Sequence, residues 1–307
     1  MRAPDVPELG VAQIVAAFER RVGAVCPDEG DLAIRTLRRL TPADWTLEWY
    51  LPWWLGHSFG VDPAVAAQLV LSNVLGLVSV RLQDDLLDGD VPAADLDAAS
   101  RLSAALFDDA LVVYRRHFDD ASLFWPYLER SMGEWRRAST AEGPLRWAEL
   151  SRRGAPLKIA GFATCLLADR RDSWELVERC IDHALLALVR YDQVRDWEDD
   201  LRADRWNAFV ATISPFPQTP ANRERNRATV LAGLLMGGAA GAEFGRIRAD
   251  AVRAACLATE LDCRPLAAHL SDYAERTAAQ GVEVEAHYRI AADRATTLIF
   301  GTSASRT

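Results

Sequence analysis

The sequence predicts an all-α protein, a single-domain antiparallel helical bundle around a central cavity. Strand signals are nearly absent, because few runs alternate β-branched with polar residues and no Asn-Gly or Asp-Gly pair joins two such runs. Apolar residues instead recur at three- and four-residue spacing along most of the chain. No repeat, low-complexity tract or linker divides residues 1–307, so one domain is expected.

Eleven helical segments follow from this spacing, separated by turn residues and prolines. They are placed near residues 8–25, 29–41, 45–57, 62–88, 94–118, 121–138, 146–168, 172–204, 220–257, 263–275 and 280–299. The most apolar run, Ala64 to Val80, contains Gln68 and Asn73 and leads directly into charged residues. We therefore expect a buried core helix there and no integral membrane segment.

Composition narrows the classes of function. Asp and Glu outnumber Lys and Arg by 44 to 35, which gives a formal net charge of −9. A nucleic-acid-binding face needs clustered positive charge, so no nucleic-acid partner is expected. The five cysteines show neither CxxC nor zinc-ligand spacing, and no signal peptide is recognisable. Both features favour reduced thiols and a cytoplasmic location.

A first acidic cluster follows the apolar run. Asp84 and Asp88 are one helical turn apart and share a face, with Asp85 beside them. Two carboxylates at about 5 Å repel each other by roughly 3 kcal/mol at an effective dielectric constant near 20. Such a pair stays ionised in water or beside a cation, and Mg²⁺ prefers carboxylate oxygens. The alternative is a solvated acidic helix end, but a solvated end is expected to follow an amphipathic helix.

A second acidic cluster continues an apolar stripe. At 100° per residue, the stripe that contains Ile181 and Leu188 runs on through Asp192, Asp196 and Asp200. Inward carboxylates are costly without a cation or a wet cavity. The alternative is a surface helix stabilised by ion pairs, and the spacing predicts two of them. These pairs are Arg195–Asp199 and Glu198–Arg202.

Both clusters resemble the metal motifs of the class I isoprenoid synthase superfamily. This superfamily comprises terpene cyclases, chain-elongating prenyl diphosphate synthases and squalene/phytoene synthases. Asp84, Asp85 and Asp88 look like its DDxxD motif. The i, i+4, i+8 spacing of the downstream terpene cyclase motif is held here by aspartates where Asn, Ser/Thr and Glu are usual. These aspartates are Asp196, Asp200 and Asp204. The resemblance covers roughly residues 60–210.

The same segment also resembles other members of the superfamily. Gln193, Asp196 and Asp200 are similar to the second motif of elongating synthases, with Trp197 in place of its second aspartate. Arg195-Asp196-x-x-Asp199-Asp200 is similar to squalene/phytoene synthases, which also have an arginine at the position of Arg205. The segment alone therefore leaves the type of synthase open.

The resemblance implies the class I terpenoid synthase fold, in which the clusters face each other across the cavity and bind three Mg²⁺ around one diphosphate. Asp84 and Asp196 would be the principal catalytic acids. The full predicted metal set is Asp84, Asp85, Asp88, Asp196, Asp200 and Asp204. Lys158 is similar to a lysine that holds the diphosphate in elongating synthases. The candidates for diphosphate binding are Lys158, Arg153, Arg195 and Arg205, and those for lining the cavity are Phe162, Gln193, Trp197 and Tyr288.

Elongating synthases also have a second basic site for isopentenyl diphosphate, which this chain lacks in recognisable form. After Asp88 the next arginine is Arg101, and the N-terminal region offers only Arg35, Arg38 and Arg39. The sequence therefore favours a cyclase that ionises one prenyl diphosphate. A prenyltransferase of the elongating or head-to-head type is the enzymatic alternative, and a divalent-metal-binding scaffold protein is the non-enzymatic one. Whether the chain forms a homodimer is left open.

Overall fold

In the computed structural model, which describes residues 9–40, 46–141 and 144–300, no described residue forms a strand. All long elements are α-helices, so the predicted all-α class is confirmed. The backbone separates into two compact units. The first comprises Met1–Ala141, Arg152–Ile181 and Cys256–His269, and the second comprises Glu142–Ser151, Asp182–Ala255 and Leu270–Thr307. That the chain is one domain stays a prediction.

The helices are numbered in chain order. Those of the first unit are α1 (Val11–Val25), α2 (Gly30–Arg39), α3 (Thr46–Phe59), α4 (Pro63–Leu87), α5 (Leu96–Arg115), α6 (Phe124–Ser139), α8 (Leu157–Leu167) and the start of α9 (Trp174–Arg195). Those of the second unit are α7 (Trp147–Leu150), the rest of α9, α10 (Trp197–Arg202), α11 (Ala208–Ile213), α12 (Arg223–Met236) and most of α13 (Ala239–Glu260) and α14 (Arg264–Phe300).

Helix α4 forms the centre of the first unit. It begins with Pro63, and the Asp62 side chain caps it by accepting hydrogen bonds from the N–H groups of Ala64 and Val65. Helices α1, α2, α3, α5 and α8 pack against it. Buried side chains occur all around its axis, as expected for a helix without a polar face.

By length and composition alone, α4 could also cross a membrane. Half of its most apolar 18-residue window is buried inside the protein, and core helices of globular proteins pass the same test. The segment Pro220–Met236 and α13 together pass it only as one span bent by 80°. Among the described residues these are the candidates, and they are weak evidence for a span.

Several predicted helices are interrupted where the backbone leaves the helical region. The segment 172–204 is split at Asp196, which has φ −99° and ψ 5°. The segment 220–257 is split at Gly237–Gly238, where Gly238 has φ +63°. The segment 146–168 is split by a 3₁₀ turn, Ser151–Gly154, ahead of Pro156. The predicted start at 8, the end at 41 and the start at 45 lie outside the described residues.

Two other differences reflect tertiary packing. The predicted segments 263–275 and 280–299 are one continuous helix, α14. Gly281 lies inside this helix. A glycine is needed there because a Cβ atom would be 2.6 Å from Cβ of Phe244 on α13. The glycine therefore permits a close approach of two helices in the second unit. The short helix α11 was not predicted, since six residues carry too little periodicity.

A pair of glycine substitutions tests this packing. Gly281→Ala is expected to lower the free energy of unfolding by about 1–3 kcal/mol, because the new methyl group overlaps Phe244. Gly245→Ala in α13 is the matched control, since no atom lies within 4 Å of its added Cβ. It is expected to raise stability by about 0.5–1 kcal/mol. Urea denaturation measures both, and equal midpoints would contradict the assigned helix contact.

Candidate functional site

Asp84 lies in the last turn of α4, and its carboxylate meets the C-terminal end of α6. The Ser139 hydroxyl donates a hydrogen bond to Oδ1 at 3.2 Å. Burial raises the pKa of the Asp84 carboxyl above its ordinary value, while the Ser139 hydrogen bond and the Arg81 charge oppose this rise. The charge of Asp88 raises the pKa further. The surroundings of Asp84 therefore favour a proton or a cation beside it.

The position of the first cluster at the C-terminal end of α4 also disfavours ionised carboxylates. The helix has 25 residues and ends at Leu87, with Asp88 as its C-cap. A helix C-terminus carries partial negative charge, which repels carboxylates and attracts cations. Asp85 is only 4% exposed, and it is neutralised by Arg39 Nη2 at 2.5 Å and Arg81 Nε at 3.1 Å. Asp88 is exposed to solvent. In this cluster the half-buried Asp84 has a carboxyl pKa above its ordinary value.

In the second cluster, Asp196 lies at the break between α9 and α10. Its half-exposed carboxylate is 2.9 Å from Arg195 Nε, and Arg195 Nη2 is 3.8 Å from Asp192. The predicted Arg195–Asp199 pair is wrong. Asp199 pairs with Arg202 instead, because the break at Asp196 changes the helical phase on which the prediction depended. The predicted Glu198–Arg202 pair is confirmed at 3.5 Å.

The other acids of the second cluster are neutralised by the protein itself. Asp200 is largely buried, and its two oxygens accept from Arg205 Nε at 3.1 Å and from Asn207 Nδ2 at 2.8 Å. Asp204 lies beyond α10 with φ +55° and pairs with Arg223 Nη2 at 2.5 Å. Acids in the first turn of α10 are also favoured by the positive end of that helix. Asp200 and Asp204 therefore differ from Asp84, since cationic side chains already pair with them.

Asn207, which the sequence reasoning missed, organises this region. It is fully buried and caps α11, and its Nδ2 also donates to the Gln193 carbonyl at 2.9 Å. Its backbone N–H and C=O both pair with the Gln218 amide. The Gln193 side chain, predicted to line the cavity, accepts from the Ala208 N–H at 2.6 Å. An asparagine directly before a short apolar segment was the N-cap signal that could have revealed it.

Lys158 belongs to a charged cluster on α6, α8 and α9. It is only 6% exposed, and its Nζ lies 3.7 Å from Glu178 Oε1. That oxygen also accepts from the Tyr127 hydroxyl and from Arg130 Nη2, each at 3.1 Å. The Arg130 guanidinium lies over the Tyr127 ring, 4.5 Å from its centroid. Burial and the Glu178 charge both raise the pKa of Tyr127. Lys158 thus neutralises a carboxylate, and its contact with a diphosphate stays a prediction.

Arg153 lies nearer to the first cluster. Its guanidinium is exposed, and Nε donates to the Ala138 carbonyl at 3.3 Å. Ala138 directly precedes Ser139, the hydrogen-bond partner of Asp84. The last residues of α6 therefore bind both the Arg153 guanidinium and the Asp84 carboxylate. Of the other predicted basic residues, Arg195 and Arg205 are exposed and bound to acids of the second cluster.

The predicted cavity-lining aromatic residues pack in the core. Phe162 stacks on Tyr127 with ring centroids 4.2 Å apart. Trp197 is 6% exposed and belongs to the apolar core of the second unit. Tyr288 is partly buried against the same core, and burial followed by the Glu198 charge raises its pKa. Their role in lining a cavity stays a prediction.

A buried ion-pair network in the second unit was not predicted. Arg190 Nη1 lies 2.5 Å from Glu243, and Arg190 Nε lies 3.1 Å from Asp250. The guanidinium also lies over the Trp147 ring, 4.4 Å from its centroid. Because the acids are 53 and 60 residues away in sequence, helical spacing gave no signal for these pairs.

A surface cleft of ≈ 230 Å³ lies beside the second cluster. It is lined by Glu198, Leu201, Arg202, Arg223, Glu224 and Arg227. All three arginines in this lining are paired with acids. Arg202 and Arg227 pair with Glu198, and Arg223 pairs with Asp204. Ligand pockets usually exceed about 300 Å³. The cleft is smaller and five of its six lining residues are charged, so we do not identify it with the predicted cavity.

Within the described ranges, no three His, Cys, Asp or Glu side chains come together as a group that could hold a metal ion. Mg²⁺ can be held through one or two carboxylates when water and substrate phosphates complete its shell. That Asp84 or Asp196 binds a metal ion stays a prediction.

No family model, curated protein or solved structure matches this chain. Any functional assignment therefore depends on the side chains and their surroundings.

Two neighbouring substitutions should change stability in opposite directions. Asp84→Asn is expected to stabilise the fold at neutral pH, because burial disfavours the ionised carboxylate. A raised native pKa means that wild-type stability falls as pH rises from the unfolded value toward the native one, and this pH dependence should disappear in the variant.

Asp85→Asn should destabilise the fold, because it leaves Arg39 and Arg81 without their buried carboxylate. Both guanidiniums are about half exposed, so the expected loss is about 1–2 kcal/mol, below that of a fully buried pair. Urea midpoints measured between pH 4 and 8 separate the two effects. Destabilisation by both variants would contradict the contrast between the two acids.

Proposed function

We propose that this chain is a class I terpene synthase, a lyase that uses Mg²⁺ to ionise one linear prenyl diphosphate. The observation that carries the proposal is the half-buried acid Asp84 at the C-terminal end of α4. Asp84 has a raised pKa, sits at the negative end of a long helix and has a solvent-exposed second acid, Asp88, one turn away. A divalent cation at this position would relieve all three unfavourable interactions.

The reaction breaks the bond between the allylic carbon and the diphosphate oxygen. The electron pair leaves with the diphosphate, and the carbon chain becomes an allylic cation that cyclises and then loses a proton or gains water. Bound Mg²⁺ would supply electrostatic stabilisation of the leaving diphosphate. The protein must supply anchors for the ions, donors for the phosphate oxygens and a dry site for the carbon chain.

The six predicted metal ligands differ in their contacts. Asp85, Asp196, Asp200 and Asp204 each pair with an arginine, which they would have to release before binding a metal ion. The pair of Asp196 with Arg195 is about half exposed on both sides, so opening it costs little. We therefore assign Asp84 and Asp196 as the principal ligands in the proposal, and we expect the largely buried Asp85 and Asp200 to hold local structure.

Arg153 and Arg195 are the side chains that we propose for gripping the diphosphate. Both guanidiniums are exposed, and each lies next to one of the acidic clusters. Arg205 remains a third candidate, bound here to Asp200. Lys158 is the weakest of the four predicted cations, because it is buried against Glu178.

The contacts of α2 favour ionisation of one substrate over chain elongation. Arg35 lies 3.8 Å from Asp95, and Arg39 lies 2.5 Å from Asp85. Two of the three N-terminal arginines considered for a second diphosphate site are thus bound to carboxylates. The free cysteines, of which Cys256 is exposed, agree with the cytoplasmic location that the proposal retains.

Turnover assays test this function. Purified protein with Mg²⁺ should release pyrophosphate from geranyl, farnesyl, geranylgeranyl or geranylfarnesyl diphosphate and yield a terpene hydrocarbon or alcohol. Asp84→Asn and Asp196→Asn should each reduce the rate by about 100-fold or more, since each removes a metal ligand. Asp199→Asn is the matched control, because Asp199 is exposed and pairs with Arg202, and its rate should stay near that of the wild type.

Other products would identify other reactions. Longer diphosphates formed only with added isopentenyl diphosphate would replace the lyase by an elongating prenyltransferase. A head-to-head product from two identical substrates would indicate a squalene/phytoene-type reaction. Stabilisation by Mg²⁺ without pyrophosphate release would leave a metal-binding scaffold protein. Wild-type turnover in Asp84→Asn or Asp196→Asn would overturn the ligand assignment.

A further inference from the structure

Helix α6 presents two hydrogen-bond donors toward Asp84. Trp135 and Ser139 are four residues apart on α6, so their side chains lie on the same face, one turn above the other. The Ser139 hydroxyl lies 3.2 Å from Asp84 Oδ1. The Trp135 indole N–H also interacts favourably with the ionised Asp84 carboxylate. The acid therefore faces a serine and a tryptophan of one helix.

Trp135 is almost fully buried, although its indole ring carries a polar N–H group. The side chain is 1% exposed and belongs to an apolar core cluster with Tyr127, Phe124 and Met132. Its Nε1 atom is buried and has no hydrogen-bond partner of good geometry among the described residues. A buried donor left in this state destabilises the folded protein, because it has lost its hydrogen bond to water. Buried tryptophan N–H groups usually find an acceptor, and the carboxylate of Asp84 is the charged acceptor in reach.

We propose that Trp135 is a positioning residue for Asp84: its buried indole N–H, one turn from Ser139 on α6, donates a hydrogen bond to the carboxylate and fixes its direction. The contact itself does not depend on the proposed function. Its consequence, the orientation of a metal ligand, rests on that function. Ser139 and Trp135 would hold the carboxylate from two directions, as outer partners hold metal-ligating carboxylates.

Two donors on one face of α6 also offset the unfavourable position of the carboxylate at the negative end of α4. Each N–H or O–H donated to the ionised form opposes the effect of burial.

Nuclear magnetic resonance tests the contact without any assumption about activity. Each indole N–H gives its own ¹H–¹⁵N resonance, and the Trp135 signal is identified by its loss in Trp135→Phe. In Asp84→Asn, which exchanges the carboxylate for a neutral amide, the Trp135 indole resonance should move upfield. Trp49 is the matched control, because it is 3% exposed and its Nε1 is also buried without a partner, in a different core cluster. Its resonance should not move. An unmoved Trp135 resonance in Asp84→Asn would overturn the proposal.

Kinetic assays then test whether this contact orients Asp84 for binding Mg²⁺. Trp135→Phe should raise the Mg²⁺ concentration for half-maximal pyrophosphate release by about 10-fold, with a smaller change in kcat. Trp49→Phe, the same substitution at another buried indole, should leave that concentration unchanged. Equal effects of the two substitutions would mean that Trp135 only packs in the core.

If Trp135→Phe does not fold, benzothienylalanine incorporated at position 135 keeps the bicyclic ring and removes the N–H, and the same shift in Mg²⁺ dependence is expected. A wild-type protein that releases no pyrophosphate would refute the proposed function alone. The resonance of Trp135 in Asp84→Asn would still decide whether the indole contacts the acid.

Discussion

Helix α4 is apolar on all sides yet ends in carboxylates, and the first unit is organised around the need to satisfy both properties. Its apolar body must be covered on every side, which the packing of α1, α2, α3, α5 and α8 achieves. Its acidic end lies where the helix dipole is least favourable for negative charge. The side chains that surround this end therefore decide which acid is structural and which is reactive.

Neighbouring carboxylates meet this constraint in different ways. Asp85 points toward two arginines and becomes part of a buried ion pair that attaches α2 to α4. Asp84, the preceding residue, points toward Ser139 and Trp135 and keeps a raised pKa. In the second unit both acids are paired, Asp200 with Arg205 and Asn207 and Asp196 with Arg195. They differ in exposure, since Asp200 is largely buried and Asp196 is half exposed at a helix break. A motif read as a set of equivalent acids thus contains members with different roles.

In a site built in this way, the carboxylates that serve the function lower the stability of the fold. Carboxylates that are buried without full compensation lower the free energy of unfolding, and proteins keep them where a ligand or metal ion uses them. The unfavourable position of Asp84 is therefore more informative about function than the number of acids around it. The ion-pair networks of Arg190 and of Glu178 show the opposite case, in which carboxylates are paired with cationic side chains of the protein itself.

The sequence by itself determined the helical class, the approximate bounds of α4, the burial of the apolar stripe in α9 and the positions of both acidic clusters. It did not reveal that the helix breaks at Asp196, which leaves this carboxylate half exposed where the stripe was expected to continue inward. Periodicity of three to four residues is a local property, and helices of 22 and 25 residues express it strongly. Only the tertiary structure decided which carboxylates are neutralised, because their partners come from distant segments. Asp85 meets Arg39 46 residues away, and Arg190 meets Glu243 53 residues away. The need for a glycine at position 281 inside α14 likewise comes from the side chain of Phe244, which local spacing does not reveal.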